Sequence, residues 1–352
     1  MTNSIENNSV VAFRRDDSGI LSLVAFYRTQ GRGTGISEVS TVTPNDGIDP
    51  LASQGSLVLS QSGQFLYAVN AGSNSISSFR VDYNGELSLI DVVPSGGLQP
   101  NSMDVYNHLL YVSNVGNLEN DFKSNITGFM TNNEGHLNMI PDATRFLSTP
   151  NAQPARIIFS PDGRLLIVSE LTTNHLSVFQ VNRDGTVSEP MINNSSGLGP
   201  FGSYFLPSGL LLVAEAGTNA LSSYRVRSNG ALSPISGSIK NGQMATCWVV
   251  ASRDGRFAYT SNTASGTIST YKISKNGILQ LVSNMTSTEE GPFLGAPIDN
   301  GVSRDGRNFY ALNGNQGSIS VFKIAYDGQL IRVQVIETKR STNYGMQGLA
   351  VI

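Results

Sequence analysis

Arg156, Trp248 and Asp299 occupy one shared place in a repeated segment, each four residues ahead of the Ser that opens a Ser-x-Asp-Gly turn. Glu170 and Glu215 share a second place, at the end of the strand after that turn, where the other copies carry Asn3, Asn70, Asn114, Asn262 and Asn313. A guanidinium can hold a carboxylate or enolate through two parallel hydrogen bonds. A carboxylate can move a proton, and two that lie close together raise one another's pKa. The two places meet at one end of a hairpin, so the pattern predicts Arg156, Glu170 and Glu215 as catalytic groups. Trp248, Asp299, Asn262, Gln54, Phe201 and Phe293 are expected to contact substrate. Structural roles compete with each assignment: an Arg156–Glu170 ion pair, Trp248 packed between repeats, and Asn side chains bonded to the backbone of the following turn.

Glu170, Glu215, Asn262 and Asp299 would also supply hard oxygen ligands for Ca²⁺ if they converged, although no short metal-binding motif is present. No cofactor is expected. The three histidines lie elsewhere, with His108 in a turn, His136 in an outer turn and His175 at the start of an outer-side strand, and they read as surface imidazoles. The single Cys247 sits in the apolar stretch Thr246-Cys-Trp-Val-Val250 and reads as a small core residue.

The positioning elements follow from a repeat. Seven times an aromatic residue is followed six positions later by glycine: Phe13/Gly19, Phe79/Gly85, Phe129/Gly135, Phe179/Gly185, Tyr224/Gly230, Tyr271/Gly277 and Phe322/Gly328. Each aromatic closes an alternating run and each glycine opens another, which describes a strand, a tight turn and a second strand. From Gly85 onward the period is 45 to 51 residues, the length of a four-stranded propeller blade. The expected fold is therefore all-β, a single seven-bladed β-propeller over residues 1–352 with four-stranded blades. Its last blade is closed by both ends of the chain, with Gln347–Ile352 as the innermost strand and Ser9–Phe13 and Ile20–Val24 as the outer two. Only Met1 and Thr2 precede Asn3 where other blades have about four residues, which predicts a natural product beginning upstream, with a leader removed.

Charged residues make up only 14% of the chain and its net charge is −3, so it offers no basic field for nucleic acid or anionic lipid. No apolar run is long enough to span a membrane. Sequons at Asn7, Asn125, Asn193, Asn194 and Asn284 are candidate N-glycan sites, which would fit a secreted protein; without a leader the chain would be cytoplasmic. Two long connections lie on the face that carries the candidate site: residues 31–55, beginning Gly31-Arg-Gly-Thr-Gly35, read as a lid or rim, and Thr288–Gly295, a second candidate rim where Phe293 is placed to cover a ligand.

The Ser-Pro-Asp-Gly turns, Tyr-Ala-Val-Asn strand ends and Asn-Gly-Glu-Leu outer turns resemble the seven-bladed propeller lactonase family, which includes bacterial 6-phosphogluconolactonase and fungal carboxymuconate lactonizing enzyme. The resemblance covers nearly the whole chain. It implies a site built on a Gly-Pro-Arg-His motif and a Glu in an Asn-Glu-Leu triplet, matched here by Gln153-Pro-Ala-Arg156 and Ser169-Glu-Leu171. Ala155 and Arg156 stand where the family has Arg and His, a departure that weighs against sugar-phosphate substrates. The function expected is a cofactor-free lactonase or intramolecular cyclase acting on a small organic molecule, with the ring-forming steps of secondary metabolism in fungal relatives as one setting. A non-catalytic extracellular propeller binding glycan or protein is the alternative, and metal-assisted lactone hydrolysis a third.

Overall fold

Apolar residues run continuously through the inner strands and alternate in the outer ones, and burial follows that difference. In the computed structural model, which describes residues 1–288, 295–338 and 345–352, every residue of Pro154–Phe159 and Leu165–Glu170 is buried. Outer strands such as Leu279–Thr286 and Leu330–Glu337 alternate between covered and exposed positions. Inner strands are sandwiched between neighbouring blades, whereas outer ones keep one face in water. The described residues form six four-stranded antiparallel sheets, each joined in simple sequence order: residues 57–94, 100–146, 154–194, 200–240, 246–286 and 297–337. We call these blades one to six. No helix among the described residues is long and apolar enough to cross a membrane.

The repeated turns have one conformation. All seven repeat glycines have φ between +80° and +93°, a left-handed geometry that closes a short hairpin. In the inner turns, Ser160 Oγ donates to Asp162 Oδ1 (2.7 Å), and Ser252 and Ser303 repeat the contact with Asp254 and Asp305. These residues are spent on turn geometry. Six of the seven repeat aromatics, Phe79, Phe129, Phe179, Tyr224, Tyr271 and Phe322, are no more than 1% exposed between blades.

The seventh blade departs from the expected four strands. Ser9–Arg15 (β1) and Leu21–Arg28 (β2) form a two-stranded sheet. The chain ends do meet: the Met1 amine donates to Gln347 O (2.6 Å) and Gln347 N donates to Met1 O (3.0 Å). Gln347–Ile352 thus lies in the innermost place but forms no regular strand. The second strand of this blade is represented only by Met1–Asn3, with Thr2 N bonded to Ser9 O at 2.8 Å.

Among the sequons, Asn125 is buried and its amide donates to Gly96 O (3.0 Å). Asn193 and Asn284 likewise donate, to Gly230 O (3.1 Å) and Asn241 O (3.0 Å), while Asn7 and Asn194 lie at exposed positions.

Candidate functional site

In blades two to six the first strand of the inner hairpin carries a register shift near its start, and the residue just beyond it enters the channel mouth. The shifts at Pro154/Arg156, Thr246/Trp248 and Pro297/Asp299 put Arg156, Trp248 and Asp299 in equivalent positions on blades three, five and six. The shared sequence position therefore becomes a shared place in space.

The long connection 31–55 fills the mouth between them. Gln54 N donates to Ala155 O (2.9 Å) and Gln54 Nε2 to Val249 O (2.9 Å), while Ser53 Oγ donates to Asn101 O (2.7 Å). Trp248 is fully buried, its Nε1 donates to Ser53 O (3.0 Å), and Phe201 packs edge-on against it with ring centroids 4.9 Å apart. The connection expected as a lid or rim is seated in the mouth as a plug, and Trp248, Phe201 and Gln54 hold it in place. Gly202 shows how tightly it fits: a Cβ there would run into Gln54 Oε1 and come within 2.6 Å of Cys247 O.

Arg156 lies beneath the plug. Its Nη1 donates to Met103 O (3.1 Å) and Gln54 O (3.4 Å), and its Nη2 is 3.9 Å from Asp104 Oδ1. Burial lowers its pKa, while Asp104 and Asp299 act to raise it. A guanidinium remains charged through such changes. Asp299 accepts from Asn300 N (2.8 Å) and Leu349 N (2.9 Å). Burial pushes its carboxyl up to about 7, although both backbone donors, Arg156 and the N-terminal ammonium pull it down. It therefore changes charge near neutral pH, where a proton-transfer group is effective.

Two further acids belong to this group, and both come from the plug. Burial holds Asp49 well above the carboxylate range, with Glu38 and Asp299 adding repulsion. Glu38 is pushed up to about 8 by burial and then by Asp46. Neither residue lies in a repeat, so no register points to them. The available signal was that a connection from an outer strand to the next inner strand must cross the channel mouth. Gln54 Oε1 and Arg156 Nε are buried there without a protein partner. Such atoms inside a folded chain call for a water or ligand.

Glu170 and Glu215 do not join this group. Glu170 accepts from Ser148 N (3.3 Å), Ser148 Oγ, Thr173 Oγ1 (2.8 Å) and Ser177 Oγ (2.5 Å). Glu215 accepts from Gly197 N (2.9 Å), Ser222 Oγ (2.6 Å) and Ser238 Oγ (2.6 Å). Asn70, Asn262 and Asn313 bond the hydroxyls five and seven residues on, and each glutamate likewise takes the hydroxyl seven residues on. Position, burial and partners match, with acceptor replacing donor. These three amides bond side-chain hydroxyls on the next strand, where backbone partners in the following turn were expected, while Asn3 and Asn114 donate to the backbone carbonyls of Gly35 (3.0 Å) and Ser95 (3.4 Å). Asn262 also accepts from Asn241 Nδ2 (2.9 Å) and Thr246 Oγ1 (2.8 Å), which fills its capacity within blade five. No ion pair joins Arg156 to Glu170 among the described residues; Asp104 takes that place.

The oxygen ligands weighed for Ca²⁺ do not converge, because Glu170, Glu215 and Asn262 are each bound up in separate blades, and no metal-binding group of acids, His and Cys is found among the described residues. His175 Nδ1 lies 3.3 Å from Ser148 Oγ beside Glu170, and His136 Nδ1 lies 3.0 Å from Asp91. Phe293 lies outside the described residues. Cys247 is buried and its thiol is raised by burial, consistent with a core role.

The fold has many solved counterparts. A Bacteroides uniformis protein provisionally named a 6-phosphogluconolactonase shares 20% identity at a TM-score of 0.70, over 96% of this chain and 93% of its own. A Bacteroides fragilis protein named in the same provisional way shares 17% at a TM-score of 0.73, over 95% and 92%. The periplasmic gluconolactonase of Pseudomonas aeruginosa shares 17% at 0.67, over 94% and 96%. At these identities the likeness is one of fold. No curated protein sequence matches the chain. The family model described as lactonase, 7-bladed beta-propeller, matches residues 8–117 and 115–250, more than half of the sequence. The chain therefore belongs to the seven-bladed β-propeller lactonase family, and it is an enzyme of the lactonase kind.

Proposed function

We propose that the protein hydrolyses a small, unphosphorylated lactone at the channel mouth without a cofactor, using Asp299 and Arg156. The observation that carries this reading is a carboxyl group titrating at about 7 within the field of a buried guanidinium. Ionised Asp299 takes a proton from water as that water adds to the lactone carbonyl carbon. The Nε of Arg156 donates to the oxygen as negative charge builds on it. Collapse of the tetrahedral adduct breaks the ring C–O bond, and the proton held by Asp299 passes to the departing alkoxide. Run backwards, the same steps close a ring, so cyclisation of a hydroxy acid uses the same residues.

The surrounding charge supports a neutral substrate. Arg156 is already matched by Asp104 and Asp299, so the site has no surplus guanidinium to offer a phosphate dianion. Residues 49–55 must lift to admit substrate, which makes the plug a lid.

Titrating acid release from γ- and δ-lactones at constant pH tests this reading. Turnover should survive chelator treatment, rise through pH 7, and fall at least about 100-fold in Asp299→Asn. A folded Asp299→Asn protein that retains wild-type kcat/KM would refute the assignment.

A further inference from the structure

Blade two departs from its neighbours at the channel-mouth end. The connection between second and third strands is four residues long in the other five complete blades, whereas in blade two it takes ten, residues 115–124. The extra length folds into one tight helical turn, Leu118–Asn120, which its own side chains close. Asn117 Oδ1 accepts from Glu119 N (2.8 Å), Asn120 Oδ1 accepts from Asn117 N (2.9 Å), and Asn120 Nδ2 donates to Lys123 O (3.1 Å). The turn is thus set in one shape before it meets a partner. Leu118, at 82%, is the most exposed aliphatic side chain among the described residues. Glu119 and Asp121 beside it are exposed, and neither has an ion pair among the described residues. With the exposed Lys123 next to them, this knob keeps a net negative charge.

The opposite end of the ring holds a matching hollow. In an antiparallel blade the first and third turns share one end, away from the connection between second and third strands. There the turns of blades three, four and five enclose a groove of about 600 Å³, floored by Leu165, Phe205 and Leu210 and edged by Arg225, Arg227 and Lys275. All three cations are exposed, and none has an ion pair among the described residues. Asp162 is the one acid of the lining; it accepts from Ser160 Oγ (2.7 Å) and lies 3.7 Å from Arg164 Nε. At roughly 30 Å³ per water-sized group, the groove has room for about twenty non-hydrogen atoms, enough for a leucine and a neighbouring acid. The overall charge of −3 hides this basic end.

We propose that the groove receives the Leu118 turn of a second copy of this chain, joining the protein head to tail. Leu118 enters the apolar floor, and Glu119 and Asp121 meet Arg225, Arg227 and Lys275 at its edge. Charge and shape select this occupant: the knob offers an apolar side chain flanked by free carboxylates, and the groove offers an apolar floor flanked by free cations. Each copy carries both halves at opposite ends, so the contact is heterologous and every pair leaves one knob and one groove open. A single turn covers little area, which makes the association weak and sensitive to salt. The inference does not depend on lactonase activity.

Sedimentation equilibrium of the whole chain tests this with two variants. Leu118→Ser disables the knob, and Arg225→Glu with Arg227→Glu disables the groove; all three side chains are exposed, so the fold is kept. The average mass of the wild-type chain should climb with concentration between roughly 10 µM and 1 mM and return to that of a monomer in ~1 M NaCl. Each variant alone should associate at least about tenfold more weakly. Mixed in equal amounts, the two should form a dimer and nothing larger, with a Kd within about threefold of the wild-type value, because one supplies only a groove and the other only a knob. A wild-type chain that stays monomeric throughout would overturn the proposal, as would either variant assembling like wild type. A mixture that remains monomeric while the wild-type chain assembles would overturn it too, since the contact would then be a symmetric one.

Discussion

Asp299 couples the proposed chemistry to stability, and the sign follows from its titration. The folded state holds this proton up to about pH 7, whereas the unfolded chain releases it near 3.8. Between those values the native state binds more protons, so stability falls as pH rises through the window and levels off above it. The upper limit for this one group is roughly 4 kcal/mol. Urea unfolding of Asp299→Asn at pH 4 and pH 8 should show a smaller loss than wild type. Glu38, at about 8, and Asp49 retain part of the slope. At Glu170 the reverse pattern holds, with a large structural role and none in turnover. In Glu170→Gln one acceptor becomes a donor facing the Ser148 N–H and three hydroxyls. Stability should drop by about 1–3 kcal/mol with kcat unchanged. Both glutamates were visible in the sequence as departures from an Asn pattern. Their roles were hidden because Ser177 and Ser222, the hydroxyls that occupy them, look like ordinary alternating strand residues.

At the scale of elements, the seven aromatic–glycine pairs made the hairpins legible, because each depends on local alternation and a left-handed turn. The plug was not, since nothing local in residues 31–55 says that the segment turns inward. Its anchors come from three blades, through Asn101, Ala155, Val249 and Trp248 together with the guanidinium of Arg156. Gly55 is the tightest point: φ is +89° and a Cβ would collide with Arg156 Nη1. Gly55→Ala should cost about 1–3 kcal/mol by displacing the guanidinium as well as straining the backbone, and kcat/KM should fall with it. Trp248→Phe removes the bond to Ser53 while keeping an aromatic ring. That variant should loosen the plug, seen as faster proteolysis between residues 49 and 55 with a melting curve shifted only slightly.

For the whole molecule, closure joins residues 346 apart, and the repeat made the meeting of the two ends legible but not the irregular form of the terminal segment. Each of the six complete blades buries its inner strands against the next, and the ring needs the seventh interface to leave no open flank. The terminal segment supplies that interface: Leu349 and Val351 pack into the core cluster that holds Trp248, Phe201 and Ile298, and Leu349 N holds the carboxylate of Asp299. Both side chains are partly buried, so together they contribute less than the ~3–6 kcal/mol of two fully buried ones. Leu349→Ala keeps the backbone donor and removes part of the packing, so Tm should fall by several degrees while the pH limb of activity near 7 stays in place. Removing residues 347–352 takes away both the packing and the donor to Asp299. Because burial is the largest cause of its raised pKa, exposing its carboxyl to water outweighs the lost donor, so it should then titrate lower and move the activity limb downward, and unfolding should lose its single sharp transition as flanking blades open first. Equal limbs in the two variants would separate ring closure from the electrostatics of the site and leave Leu349 with a packing role alone.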